Sequence, residues 1–349
     1  MAKSEKELVL YRKYRPQSFN DVLGQEHIVS VLEGAVKAEH IAHAYLFSGS
    51  RGIGKTSIAR ILAREIGCSE NDLYEIDAAS NRGIDDIREL RDSVYTLPFE
   101  SPYKVYIIDE AHMLTKEAFN ALLKTLEEPP KHVVFMLATT ELEKLPDTIV
   151  SRCQSFTFKK PTQRMLKEMI QNVAKKEKFL LEPASAELIA MLAEGSFRDA
   201  QGILQKIISS SKNNKASINE IEVVVGAPKG ELVNDFIGAI DTGNLEEGLA
   251  AVDSVVSAHI DTKTFMKLVL HKVRAVLLLR YAKDMEASFE EQFVKEDFTF
   301  LKEVSGNRDS RINSETLYEL LGAYDAINRS YIPQLPIELA LVKLLKTSA

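Results

Sequence analysis

Two short stretches carry residue types whose spacing points to chemistry. Gly49-Ser50-Arg51-Gly52-Ile53-Gly54-Lys55-Thr56 fits the pattern GxxxxGK[ST]. The glycines let the backbone curl so that successive N–H groups face inward, and a helix beginning there adds its positive end. Such a loop cradles nucleotide phosphates, with Lys55 reaching the β and γ phosphates and Thr56 offering its hydroxyl to Mg²⁺. The expected nucleotide-binding residues are Gly49, Ser50, Arg51, Gly52, Ile53, Gly54, Lys55, Thr56 and Ser57. A random chain of this length would hold the pattern roughly one time in a hundred. The bland alternative, a glycine-rich turn that binds nothing, is weakened further by the apolar run just before it and the helical pattern just after it.

The second stretch is Val105-Tyr106-Ile107-Ile108-Asp109-Glu110, a continuous apolar run that ends in two carboxylates. Strands buried on both faces read in this way. Acids at the C-terminal end of such a strand lie at the sheet edge where open α/β folds bind ligands. Asp109 is expected to hold Mg²⁺ through water, and Glu110 to orient or deprotonate an attacking water. Alone, the pair would be an ordinary acidic turn. Beside a phosphate loop it implies hydrolysis.

The elements that must position these groups alternate along the first half. Strand-like runs at 44–47, 73–76, 104–108, 133–138 and 155–158 are separated by helical patterns at 55–66, 85–95 and 116–128. That alternation predicts an α/β class with a parallel sheet covered on both faces. After Pro161 the reading is helical throughout, with turn signals near Glu182-Pro183 and Gly195 and in the polar run 209–217. The expected division is a nucleotide-binding α/β domain over 1–160, a helical lid over 161–225 and an all-α domain over 226–349.

The 349 residues include 51 acids against 44 lysines and arginines, for a net charge of −7. Residues 1–160 hold −3 of it, residues 161–230 hold +2 and residues 231–349 hold −6. This excludes a basic coat that wraps nucleic acid, though not a few well-placed cations. Two cysteines, Cys68 and Cys153, are too few for a disulfide framework or a structural zinc site. The N-terminus lacks an apolar signal region and no stretch is long enough to span a membrane, so the expected setting is the cytoplasm. The seven histidines suggest no metal site, and His112 reads as packed or hydrogen-bonded.

Segments 11–28, 43–63, 74–90, 104–156 and 193–205 together resemble the bacterial DNA polymerase III gamma/tau family. Those proteins are ATPase motors of sliding-clamp loaders within the AAA+ superfamily. The resemblance implies an AAA+ P-loop domain, a helical lid and a collar that oligomerises. It also implies ATP and Mg²⁺ as cofactors, and partners comprising other loader subunits in a five-membered spiral, the ring-shaped clamp and primer–template DNA, with no membrane. Ser151-Arg152-Cys153 is similar to the family's SRC motif, whose arginine would complete the neighbouring subunit's ATP site in trans; alone, Arg152 reads as a surface arginine. Thr140 resembles the residue that senses γ phosphate from the sheet edge, with Thr139 as its near rival. Arg198 in GSFRDA resembles the lid arginine that does so from the other side. Arg12, with the backbone near Val22 and Leu23, would wall the adenine pocket, although a basic N-terminal stretch otherwise reads as solvated. DNA contacts are expected at two helix starts, Arg82 in Asn81-Arg82-Gly83 and the pair Thr115 and Lys116. Each of these also reads as a cap or a solvated charge.

Two departures matter. The family's usual four-cysteine zinc module is absent after Cys68, so no zinc is expected. The chain also stops shortly after the third expected domain. Two other functions remain open at this point: another DNA-associated AAA+ motor, such as a helicase loader or branch-migration ATPase, and a scaffold that binds ATP without turnover.

Overall fold

A computed structural model describes residues 9–80, 87, 90, 92–211, 213–282, 284 and 286–346. Arg82 and, of the expected helix over 85–95, residues 85, 86, 88, 89 and 91 lie outside the described residues. Contacts group the chain into two compact units, Met1–Glu168 with Ala193–Gly202, and Met169–Leu192 with Ile203–Ala349.

The first unit is built on five parallel strands: β1 (Ala44–Ser48), β2 (Leu73–Asp77), β3 (Lys104–Asp109), β4 (Val133–Thr139) and β5 (Gln154–Thr157). Their spatial order is β2-β3-β4-β1-β5. Register pairs Ala44 with Phe135, Lys104 with Val133 and Leu73 with Val105. Successive side chains point to opposite faces, so each apolar strand feeds two cores. Tyr45, Phe47, Ile107 and Met136 pack on one face with Ile58 and Leu62 of the helix Lys55–Glu65. Leu46, Ile108, Phe135 and Leu137 pack on the other with Phe119, Leu122 and Leu126 of the helix Lys116–Glu127. Phe135 is fully buried, and truncating such a residue to Ala costs about 3–5 kcal/mol.

Helices account for almost all regular structure in the second unit. Within it Phe236 and Phe265 pack edge to face, with ring centroids 5.3 Å apart. A polar network is also sealed into this unit. Lys272 Nζ lies 2.7 Å from Asp297 Oδ1 and donates to Asn234 Oδ1 at 2.8 Å. Asn234 in turn donates to Asp297 at 2.8 Å, and the Gly230 N–H donates to Glu222 Oε1 at 3.0 Å. Among the described residues, no helix is long and apolar enough to cross a membrane.

Candidate active site

Three adjacent strands, β3, β4 and β1, deliver their C-terminal ends to one edge of the sheet, and the candidate residues collect there. β1 runs straight into the phosphate loop. The Gly49 N–H donates to Thr139 O at 3.2 Å, which ties the loop to the end of β4. Gly49, Gly52 and Gly54 have φ of 141°, 74° and 104°, a region that glycine enters without steric cost. At Gly49 a Cβ would also sit 2.9 Å from Ile53 Cδ1 and 3.0 Å from Phe158 O. Ile53 is 2 % exposed and belongs to the core beneath the loop. Its side chain therefore anchors the loop, and only its backbone is available to a ligand.

Lys55 opens the helix that follows and is buried. Its Nζ donates to Gly49 O at 2.7 Å and Ser50 O at 2.9 Å. Burial lowers its pKa, Glu110 and Asp109 oppose that shift, and Arg198 adds to it. Thr56 Oγ1 donates to Asp109 Oδ2 at 2.9 Å. A hydroxyl and a carboxylate so joined form a hard oxygen donor set that fits Mg²⁺. Ser57 follows in the same first helical turn, and Arg51 is exposed on the loop.

Glu110 adopts φ 48° and ψ 45°, left-handed for a residue with a Cβ. Such a conformation costs about 1–3 kcal/mol and persists where the surroundings enforce it. Here it turns the chain sharply after β3, and Glu110 Oε2 accepts a hydrogen bond from Thr140 Oγ1 at 3.1 Å. The two threonines at the end of β4 are thereby distinguished. Thr139 is fully buried; its hydroxyl accepts from the Glu141 N–H at 3.0 Å and shares a hydrogen bond with His112 Nδ1 at 3.1 Å. Thr140 is the one that reaches the acid.

Sequence reasoning left His112 without a task. Its Nδ1 lies 3.5 Å from Glu110 Oε2 and its Nε2 lies 3.3 Å from Glu141 Oε1, so it braces the acid against the loop after β4. Its place one turn after the acid pair was the available signal.

From the other side, the turn before Arg198 packs on the phosphate loop. The Phe197 N–H donates to Gly52 O at 2.9 Å. The Arg198 guanidinium lies over the Tyr11 ring, 5.7 Å from its centroid. Arg12 is exposed in the short helix Leu10–Lys13, Val22 packs against the core, and Leu23 is half-exposed. Arg15 was missed by sequence reasoning. It is half-buried among Arg60, Arg198 and Arg12; burial first, then Arg60, lowers its pKa, against the pull of Glu75.

Other candidate residues stand apart. Arg152 donates to Thr148 O at 2.7 Å and to Glu127 Oε1 at 2.6 Å, so its described partners are neither the loop nor the acid pair. Its neighbour Cys153 has its thiol pushed up to about 12 by burial, and burial likewise pushes Cys68 up to about 11. Both stay protonated and unreactive at neutral pH. Thr115 caps the helix Lys116–Glu127 by accepting from the Ala118 N–H at 3.2 Å, and Lys116 is the first residue of that helix.

The family described as "DNA polymerase III, delta subunit" matches residues 24–82 and 71–162. The DNA polymerase III subunit tau of Bacillus subtilis is 38 % identical, over 97 % of this chain and 63 % of its own length. The subunit gamma/tau of Mycoplasma genitalium is 36 % identical over 95 % of this chain and 61 % of its own length. The tau subunit of Escherichia coli is 38 % identical over 77 % of this chain and 46 % of its own length. The chain thus spans less than two thirds of the relatives it matches. Among solved structures, Thermotoga maritima RuvB, a Holliday junction branch migration motor, matches 88 % of this chain and 98 % of its own, with a TM-score of 0.53 and 22 % identity. That likeness is one of fold.

Proposed function

Since the chain belongs to the bacterial DNA polymerase III gamma/tau family, we propose that it is the ATP-hydrolysing motor of a sliding-clamp loader, working in the cytoplasm on primed DNA. One observation carries the reading. Lys55, the Thr56–Asp109 pair and the Thr140–Glu110 pair converge on one sheet edge, which is the donor and acceptor set that phosphoryl transfer to water requires.

Backbone N–H groups of residues 49–56 and the Lys55 ammonium bind the triphosphate. Thr56 and Asp109 would hold Mg²⁺, which would supply positive charge to offset that developing on the transferred phosphoryl group. Glu110, oriented by Thr140 and His112, aligns the attacking water and accepts its proton. Arg198 contacts the γ phosphate from the opposite side. Arg12 and the backbone at Val22 and Leu23 enclose the base. Arg152 leaves Glu127 to enter the site of a neighbouring subunit, where a guanidinium is worth about 10³–10⁵ in rate.

In this reading residues 161–225 act as a lid and residues 226–349 as a collar that joins loader subunits, five of them in a spiral. ATP favours the spiral that opens the clamp, and primer–template DNA held near Thr115, Lys116 and Arg82 aligns Arg152 for hydrolysis. No zinc takes part. The deciding experiment is steady-state ATP hydrolysis with purified clamp and primed DNA. Joint stimulation is expected, and a rate indifferent to both would overturn the reading. Stimulation by junction DNA without clamp would point instead to a branch-migration motor. Mixing Arg152→Ala with Lys55→Ala subunits should restore working sites where the two meet.

A further inference from the structure

Arg198 is held from two directions. On one side the Phe197 N–H and, more weakly, the Arg198 N–H donate to Gly52 O at 2.9 and 3.4 Å. Gly52 permits this docking because a Cβ there would lie 2.1 Å from Ser196 Oγ and 3.2 Å from Arg198 Cβ. On the other side the guanidinium rests over the Tyr11 ring. Tyr11 belongs to a segment that is itself fastened. Leu10 is buried, and Arg64 donates to Gln17 Oε1 at 2.8 Å and to Gln17 O at 2.7 Å. Gln17 then donates to Arg15 O at 3.0 Å. Arg64 sits near the end of the helix that Lys55 begins. The ring under Arg198 is thus moored to the helix that carries the phosphate-loop lysine.

A guanidinium near a second cation gains by turning toward solvent unless something compensates. The negative face of an aromatic ring does so, and its planar shape suits stacking. An arginine already restrained also loses less rotamer freedom when it meets a phosphate. We propose that Tyr11 is a positioning residue for Arg198. Its ring holds the guanidinium beside the phosphate loop and so sets how strongly the chain prefers a nucleoside triphosphate to a diphosphate. The proposal rests on Arg198 as the γ-phosphate contact.

Equilibrium binding of the imido analogue of ATP and of ADP to the full chain tests it, with ADP binding also reporting an intact fold. Tyr11→Ala and Tyr11→Leu should weaken the triphosphate analogue about two- to thirty-fold, the range of a cation–π contact, and leave ADP within about twofold. Tyr11→Phe, which keeps the ring face, should match the unaltered chain. Tyr11→Ala should add nothing to Arg198→Ala. Equal losses for both nucleotides, or no loss for either, would overturn the proposal. If Arg198→Ala abolishes the preference and Tyr11→Ala does not, only the role of Tyr11 fails. If Arg198→Ala leaves the preference intact, the reading of Arg198 fails and takes the proposal with it.

Discussion

Lys55 in the first unit and Lys272 in the second are both buried, and the two are held in opposite ways. Lys55 is 6 % exposed and Lys272 is 4 % exposed, and burial lowers the pKa of both. Lys272 has its own carboxylate at 2.7 Å and an amide oxygen at 2.8 Å, so its charge is matched within the fold. Lys55 donates to two neutral carbonyls, while Asp109 is engaged by Thr56 and Glu110 by Thr140. A buried cation matched inside stabilises structure. Lys55, whose hydrogen bonds go to carbonyl dipoles, keeps its charge for a ligand.

The sharpest way to break this contrast is to remove each ammonium in turn. Lys272→Met should destabilise its unit by about 3–5 kcal/mol, because the largely buried Asp297 loses its matching cation. Chemical denaturation monitored by circular dichroism would measure this, and the further change Asp297→Leu should recover most of the loss. Lys55→Ala should do the reverse, leaving the denaturation midpoint nearly unchanged while ATP hydrolysis falls about 10²–10³-fold. Similar unfolding losses for the two variants would erase the distinction.

Glu222 sharpens the comparison from the acid side. Its carboxyl is pushed up to about 6, chiefly by burial; the Gly230 N–H and then Lys272 and Lys229 oppose this, and Asp297 adds to it. The folded chain therefore holds this proton more tightly than the unfolded chain does. The resulting stability is full below about pH 4.5 and fades as pH rises through about 6. Glu222→Gln should accordingly gain about 1 kcal/mol on the unaltered chain between pH 5 and pH 7, read from paired denaturation curves. A gap independent of pH would contradict the assignment. The smallest effect belongs to the surface. Ser217 caps the helix Ile218–Val225, with the Glu220 N–H donating to its hydroxyl at 3.3 Å. Ser217→Ala should cost about 1 kcal/mol without altering nucleotide affinity.

The contrast also marks what could be read from the sequence. Strand and helix positions around the phosphate loop were legible because the loop is contiguous and its flanks are strongly patterned. The expected strand over 104–108 and helix over 116–128 reappear as Lys104–Asp109 and Lys116–Glu127. Thr139 and Thr140 could not be separated by pattern, because register at a strand end depends on which hydroxyl the interior consumes. Tyr11 and Arg198 lie far apart in the chain and meet only once the first unit closes. The same holds for Glu222, Lys272 and Asp297, which arrive on separate helices with no local signature. Lys104 gave no hint of burial within its apolar run. Its stem crosses the core edge so that Nζ donates to Ser93 O at 2.9 Å and Thr96 Oγ1 at 2.7 Å.

The strand order has a consequence for how the chain comes into being. All five residues of β1 are buried, yet its partners in the sheet are β4 and β5. Ala44 must wait for Phe135, about ninety residues later. At about 5–20 residues per second, a nascent chain carries Ala44–Ser48 unpaired for roughly 5–20 s. Throughout that interval a short, largely apolar ribbon with free hydrogen-bonding edges is open to pairing with any neighbouring chain. The strand that launches the phosphate loop is therefore the point at which a newborn molecule most needs protection from its own kind.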